Sequence, residues 1–361
     1  MITVGGTTVT GGSGSNLTVD FGGGSVAGLL TGGLGLTKIG SNLISLASAN
    51  THSGDTLISG GTLVLGNVSA LQNSTLDTGA SGGQSVSFSD GLGPYHLGGL
   101  KGSDRLGHNT FGIGANSISV GANGQNTTFS GDIIGSGGLT KVGTGTLQLT
   151  GPNAYTGATI INSGTLWVNG TAGFSHSGTA PYTVNNGGTL KGNGSLVGHA
   201  VTFASGSTGA PGNSPGLMVT GSQSWDDNST YEWEVAQSGM AGVDYDSYDV
   251  TGLLDFSAIS GTMNLELIKW TGGDIGTTDT FALWTYDTLL GWDVAPFVPS
   301  NKFTFVSNSI NYDDAIVYND GAGTIWLTGI YVPEPSTYAL GLFGLVALAC
   351  RAWRRKRGTW K

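Results

Sequence analysis

The chain is short of most of the residue chemistry that catalysis and nucleic-acid binding draw on. One cysteine, Cys350, stands among 361 residues, which excludes an intrachain disulfide. Only 10% of residues are charged, and Arg105 is the sole arginine before residue 350. Without a basic stripe in the body, no nucleic-acid partner is expected. The five histidines, His52, His96, His108, His176 and His199, show no metal-ligand spacing. No apolar run of helical period and useful length occurs before residue 336. The opening MITVGGTTVTGGSGSNLTVD also lacks the charged start and apolar core of a secretory signal.

What is present instead is glycine, 66 residues of it, with 38% hydrophobic residues that alternate along short runs. That apolar share and the low charge argue against a disordered chain. Charge is uneven. Residues 1–224 hold six aspartates, Asp20, Asp55, Asp77, Asp90, Asp104 and Asp132, against five basic residues, a net of −1. Residues 225–332 hold sixteen carboxylates against Lys269 and Lys302, a net of −14. Six of the 13 basic residues lie beyond residue 350.

The body repeats. Leu36 to Asn67 (LTKIGSNLISLASANTHSGDTLISGGTLVLGN) and Leu139 to Gly170 (LTKVGTGTLQLTGPNAYTGATIINSGTLWVNG) align without a gap and share 12 of 32 positions. Shared are Leu-Thr-Lys-x-Gly, the pairs Asn50/Gly54 and Asn153/Gly157, and Gly-Thr-Leu. Within each copy Leu147 and Leu149, Leu166 and Val168, and Leu63 and Leu65 alternate with polar or outward residues at period two. The runs end at Gly, Asn or Ser, which turn a chain tightly. Such short strands bury an apolar face only by stacking coil on coil, at about 20 residues per turn. The fold expected is all-β: a right-handed parallel β-helix (β-solenoid), with an all-β sandwich as the alternative. Composition shifts near residue 217, where tryptophan and carboxylates become dense and glycine thins. Three regions follow: a Gly-rich solenoid over 1–216, an acidic Trp-rich β segment over 217–331 that caps or continues it, and a terminal segment over 332–361.

That terminal segment stacks three zones. Pro333, Glu334 and Pro335 form an extended triplet, since each proline disfavours helix in the residue before it. An uncharged stretch with Ser336, Tyr338, Leu340, Leu342, Phe343, Leu345, Val346, Leu348 and Cys350 follows, fit for one short C-terminal transmembrane helix. Arg351, Arg354, Arg355, Lys356 and Arg357 then form a basic stop that stays on the cytoplasmic side. This order resembles the PEP-CTERM sorting signal of bacterial surface and matrix proteins. The resemblance implies passage through the inner membrane, cutting near the triplet by an exosortase-like membrane protease, and release or attachment at the cell surface, with exopolysaccharide as a matrix partner. An export start upstream of Met1 is expected, or else post-translational insertion of the tail.

The repeat carries a second resemblance. Gly138 to Gly157, GLTKVGTGTLQLTGPNAYTG, is similar to the autotransporter-associated β-strand repeat of bacterial passenger domains; the earlier copy departs from it at Asn42, Ala49 and His52. Gly187-Gly-Thr-Leu and Ala210-Pro-Gly-Asn-Ser-Pro-Gly resemble the turn-rich segment that closes such arrays. What this implies is an elongated exported β-helix. The resemblance does not extend to the outer-membrane barrel of a self-transporting protein, so self-transport is not expected.

Candidate chemistry is sparse. Gly212-Asn-Ser-Pro-Gly216 fits Gly-x-Ser-x-Gly, but the elbow needs an N–H after the serine and Pro215 has none. Gly11-Gly-Ser-Gly-Ser-Asn16 approaches a calcium-binding nonapeptide only once. Asp244 and Asp246 share a face if VDYDSYD is a strand and, with Asp249, offer oxygen ligands to Ca²⁺; a solvated acidic strand is the other reading. His52 aligns with Tyr155 and so marks a structural position. Trp167 points outward if Leu166 and Val168 point in, with Trp225 and Trp233 near it in sequence, a weak platform for sugar rings. Hydrolases need two carboxylates in one cleft, and the six aspartates of 1–224 are placed singly. No catalytic residue, metal or cofactor is expected. A carbohydrate-active β-helix enzyme and a permanently anchored adhesin are the competing classes.

Overall fold

The computed structural model describes residues 2–330 apart from 5–7, 20–23, 80–83, 90, 92, 103–109, 170–175, 238, 271–274, 276–277 and 307–313. Every regular element among the described residues is a β-strand, and none is a helix. Residues 331–361, and with them Pro333-Glu334-Pro335, Ser336 to Cys350 and the basic stop, lie outside the described residues. Among the described residues no helix is long and apolar enough to cross a membrane.

The chain winds as a parallel β-solenoid. Leu36 pairs with Thr56 and Leu139 with Thr159, each one turn of 20 residues on. One face runs the length of the molecule, from Asn16–Val19 through Gly35–Lys38, Thr56–Ile58 and Leu139–Lys141 to Ser247–Asp255 and Thr280–Leu290. A second face stacks Thr127–Phe129, Thr146–Leu149, Gly164–Val168, Gly188–Gly192, Thr208–Pro211 and Thr230–Val235 in register. Parallel pairing between successive turns is not that of a sandwich, whose neighbouring strands run antiparallel.

Period two does what it should on these faces. Leu147, Leu166 and Leu190 are directly opposite one another and fully buried, each contributing about 1.5–3 kcal/mol relative to exposure. On the outer side Thr146, Thr165, Thr189, Thr208 and Thr230 form a ladder along the axis. A slip of one residue would exchange the two rows.

The residues shared by the two sequence copies sit where one turn meets the next. Lys38 and Lys141 are 0% and 1% exposed, unusual for lysine. The Lys38 ammonium donates to the carbonyls of Ile39 (2.6 Å), Gly40 (3.0 Å) and Gly60 (3.0 Å). Lys141 donates to Val142 (2.7 Å), Gly143 (2.8 Å) and Ser163 (3.1 Å). In both, two acceptors belong to the same turn and the third to the next. Burial lowers the Lys141 ammonium to about 8, so at neutral pH it keeps its proton and all three donors. Asn50 accepts the N–H of Leu30 and donates to Ala70, joining three turns; Asn153 accepts the N–H of Ile133. Gly54 and Gly157 leave no room for a side chain, since a Cβ there would meet the backbone of Leu34–Gly35 or Gly137–Gly138.

Beyond residue 216 the parallel ladder continues through wider turns. Leu217–Thr220 pairs with Ser247–Val250, and Tyr248 with Trp284. Rings fill the extra width: Phe203 stacks on Trp225 at 3.9 Å, and Trp284 packs edge-on against Trp225 and Tyr231. Trp225 and Trp233 are therefore core residues, fully buried, and not a sugar platform; of these three, Trp167 alone faces outward. Parallel stacking ends where Thr324–Thr328 pairs antiparallel with Thr280–Thr285 and with Ile316–Asn319. That hairpin closes the long face.

Replacing Lys141 with methionine keeps the aliphatic stem and removes the ammonium donor from three carbonyls, of which, among the described residues, only Gly143 keeps another, the Ser163 hydroxyl at 3.4 Å. A loss of about 3 kcal/mol is expected from the uncompensated acceptors, read as a lower thermal midpoint. Lys38→Met should cost a similar amount, whereas Lys302→Met, whose ammonium reaches two carbonyls, should cost less.

Candidate functional site

The clearest concave feature lies where the coil geometry is irregular. Leu71–Asp77 and Tyr95–Lys101 are longer than the strands before them, and their register shifts between Leu71 and Thr75. Beside this irregularity an open groove of about 630 Å³ is lined by Leu57, Asp77, Lys101, Asn126, Thr128 and Ser130 among others. Two aspartates spaced singly in the sequence meet here. Asp77 lies opposite Leu57 on one neighbouring strand and Lys101 on the other. The Lys101 ammonium donates to Asp55 and sits 3.6 Å from Asp77. Hydrogen bonding to Asp55 first, and attraction to both carboxylates, raise the Lys101 ammonium above its ordinary value.

This trio was invisible in linear spacing, but laying the next turn beside Asp77 would have found Lys101. Its chemistry is that of a bound ion pair. A glycoside-cleaving pair needs one carboxyl free to protonate the leaving oxygen. Here Asp55 accepts from Lys101, and Asp77 accepts the N–H of Gly79 at 2.9 Å. Arg105 and His108 lie outside the described residues.

The three aspartates of VDYDSYD part company. Asp244 is in a turn, where it accepts from Met240 N–H and Gln237. Asp249 accepts from Thr285. Asp246 is buried rather than solvated, only 2% exposed. It accepts the N–H of Gly216 at 2.6 Å and that of Glu234 at 2.8 Å. Burial pushes the Asp246 carboxyl up to about 7, against the pull of those two donors. Its role is to tie the Gly212–Gly216 turn to the next coil, and in that turn Ser214 takes a left-handed φ of 73°. Neither nucleophile elbow nor cation site results. Among the described residues no three His, Cys, Asp or Glu side chains gather as metal ligands.

His52, His176 and His199 are interior, while His96 is half-buried. His52 meets Thr56 at 3.1 Å as Tyr155 meets Thr159 at 2.6 Å, four residues on in each copy. His176 contacts the Tyr182 hydroxyl and the Tyr155 carbonyl and stacks on His199 with centroids 4.3 Å apart. Burial lowers both His52 and His176 to about 4. Since the unfolded imidazoles titrate near 6.5, the unfolded chain binds protons first as pH falls. Stability contributed by the neutral rings is thus full above about 6.5 and lost by about pH 4, roughly 3 kcal/mol per ring. His52→Tyr, the residue of the other copy, should remove one ring's share of this acid loss in pH-dependent melting.

On the outer face Trp167 is half-buried, with the Lys191 ammonium 5.9 Å from its ring centre and 3.8 Å from Glu234. Glu232 stands opposite Glu266 on the next strand; burial first, then that neighbour, raises the Glu232 carboxyl. The indole is covered rather than offered as a flat platform.

Comparison with known proteins finds likenesses over parts of the chain. The model of the passenger-associated-transport-repeat matches residues 36–65 and 139–168. A PEP-CTERM protein-sorting motif matches residues 332–357. Over 156 residues, 42% of the chain, the sequence is 38% identical to the adhesin BmaC autotransporter of Brucella suis biovar 1 (strain 1330), covering 4% of that protein. Over 115 residues, 32% of the chain, it is 42% identical to an extracellular serine protease of Serratia marcescens, covering 10% of it. The chain therefore spans a small part of the length of these relatives.

Proposed function

We propose that the chain is an exported bacterial cell-surface or extracellular-matrix protein with a structural or adhesive role, sorted and cut at its C-terminus by an exosortase-like membrane protease. The observation that carries this reading is the ordered tail, Pro333-Glu334-Pro335 followed by an apolar stretch and five basic residues. The body supports it: its buried polar side chains at Lys38, Lys141, Asn50 and Asn153 all serve contacts between turns. The likeness to an adhesin passenger points the same way.

In this reading Ser336 to Cys350 forms the transmembrane helix, with Arg351, Arg354, Arg355, Lys356 and Arg357 in the cytoplasm and the solenoid outside. Fifteen residues at 1.5 Å reach about 22 Å, short of the ~30 Å hydrocarbon core. A span that short suits a handle to be removed better than a lasting anchor. Exopolysaccharide is the proposed matrix partner, met by the hydroxyl-rich outer ladder. A second reading, polysaccharide hydrolysis, draws on Asp77 in the groove and Asp55 beside it across Lys101; the Lys101 bridge disfavours it.

Two experiments test these readings. Changing Pro333, Glu334 and Pro335 together to alanine should leave the protein in the inner-membrane fraction and deplete it from the surface; unchanged surface delivery would refute the sorting role. Purified protein should release no sugar from neutral polysaccharides, and hydrolysis abolished by Asp55→Asn or Asp77→Asn would favour the enzyme instead.

A further inference from the structure

The end of the solenoid next to the tail carries an apolar face that the fold leaves open. Segment 297–300 runs beside strand Ile316–Asn319, with Phe297 N–H donating to Asn319 and Ser300 N–H to Val317, both at 2.8 Å. Along that strand Val317 points into the core, so Ile316 and Tyr318 point out. Tyr318 stands directly opposite Trp326 on the neighbouring strand, and the Phe297 ring lies 6.2 Å from that of Tyr318. Three aromatic rings and the Ile316 side chain thus share one surface, and Val298 is exposed next to Phe297 in the chain. Phe297 is 70% exposed, Val298 43% and Ile316 36%. Phe297 also holds a left-handed φ of 62°, a conformation a bulky side chain rarely adopts. The backbone departs from its preferred region to present this ring, and the ring faces no core.

What covers such a surface follows from where the chain goes next. Ile316 pairs with Thr328, and Ile330 is the last described residue. Only Tyr331 to Pro335 separate Ile330 from Ser336, a reach of about 20 Å at most even when fully extended. If Ser336 begins the membrane span, Ile330 lies no more than about 20 Å from the hydrocarbon core, close enough for the hairpin to rest on the bilayer surface. The polar headgroup zone is about 6 Å deep on each side of the core, and tryptophan and tyrosine favour that zone. Nearby charges are mostly acidic: Asp314 is exposed, Asp320 accepts from the Trp326 indole, and Asp293 accepts from Ser300; the one nearby cation among the described residues, Lys302, is turned to the carbonyls of Phe256 and Ile259. Carboxylates there disfavour anionic lipid and leave apolar contact with neutral headgroups as the source of attraction.

We propose that Phe297, Val298, Ile316, Tyr318 and Trp326 form a membrane-resting face that seats the cap in the neutral headgroup zone of the bilayer holding the tail. This rests on the reading of Ser336 to Cys350 as a membrane span. Seating the cap fixes the rod's end at the membrane and holds the Pro-Glu-Pro triplet at the bilayer surface, within reach of a membrane-embedded protease.

The test uses the full chain with Cys350→Ser, a fluorophore on Phe297→Cys or Val298→Cys, and phosphatidylcholine vesicles carrying a headgroup-depth quencher. The control label is on Leu43→Cys, an exposed position near the opposite end of the rod. Quenching at 297 and 298 should exceed that at 43 by about twofold or more, because the quencher occupies only the thin headgroup zone, and added anionic lipid should not increase it. Protein that floats with vesicles yet shows equal quenching at all three positions overturns the resting face and leaves the tail reading standing. Protein that does not float overturns both.

Discussion

The structure depends on how a parallel coil satisfies its corners. Where the chain bends between faces, backbone carbonyls turn away from the ladder and toward the interior, and a buried carbonyl without a donor is costly. An ammonium solves this with three donors at one point. At Lys38 and Lys141 those donors reach carbonyls of the same turn and of the one after it, so a single side chain sets the spacing of two turns. Asn50 does the equivalent with one acceptor and one donor. A chain with few charges places two of its lysines where charge is normally excluded, and what they gain is register.

The rest of the body follows from that repeat. Each turn contacts mainly its neighbours, so apolar rows such as Leu147, Leu166 and Leu190 run along the axis in place of a compact centre. Such a scaffold tolerates variation on its outer rows. The features that could meet another molecule lie where regularity fails: the shifted coil at 71–101, the wide aromatic turns past 217, and the closing hairpin. Length and surface are what this architecture supplies.

Much of this was legible in the residues. Period two in Leu147/Leu149 and the gapless duplication pointed to stacked strands, and the alignment of His52 with Tyr155 marked His52 as a structural position; both are buried and make matching bonds to Thr56 and Thr159. Other features depended on turn width, which alternation does not encode. Trp225 and Trp233 read as free aromatics until the wide turns from Leu217 onward supplied a core large enough to hold them. Asp246 looked solvated because its partners, Gly216 and Glu234, lie 30 and 12 residues away. Asp55, Asp77 and Lys101 meet only once three turns are laid side by side. The tail was read from its order of triplet, apolar run and basic end, and its residues lie outside those the structure describes.

The central claim is that the tail is a removable handle on an acidic rod. The most direct test is the intact mass of the protein recovered from the cell surface or medium. Cutting near the triplet predicts a species without Arg354 to Lys361; loss of everything after Val332 would take the formal charge from −10 to −15. A surface population that retains the complete basic end would contradict the account and mark the tail as a permanent anchor.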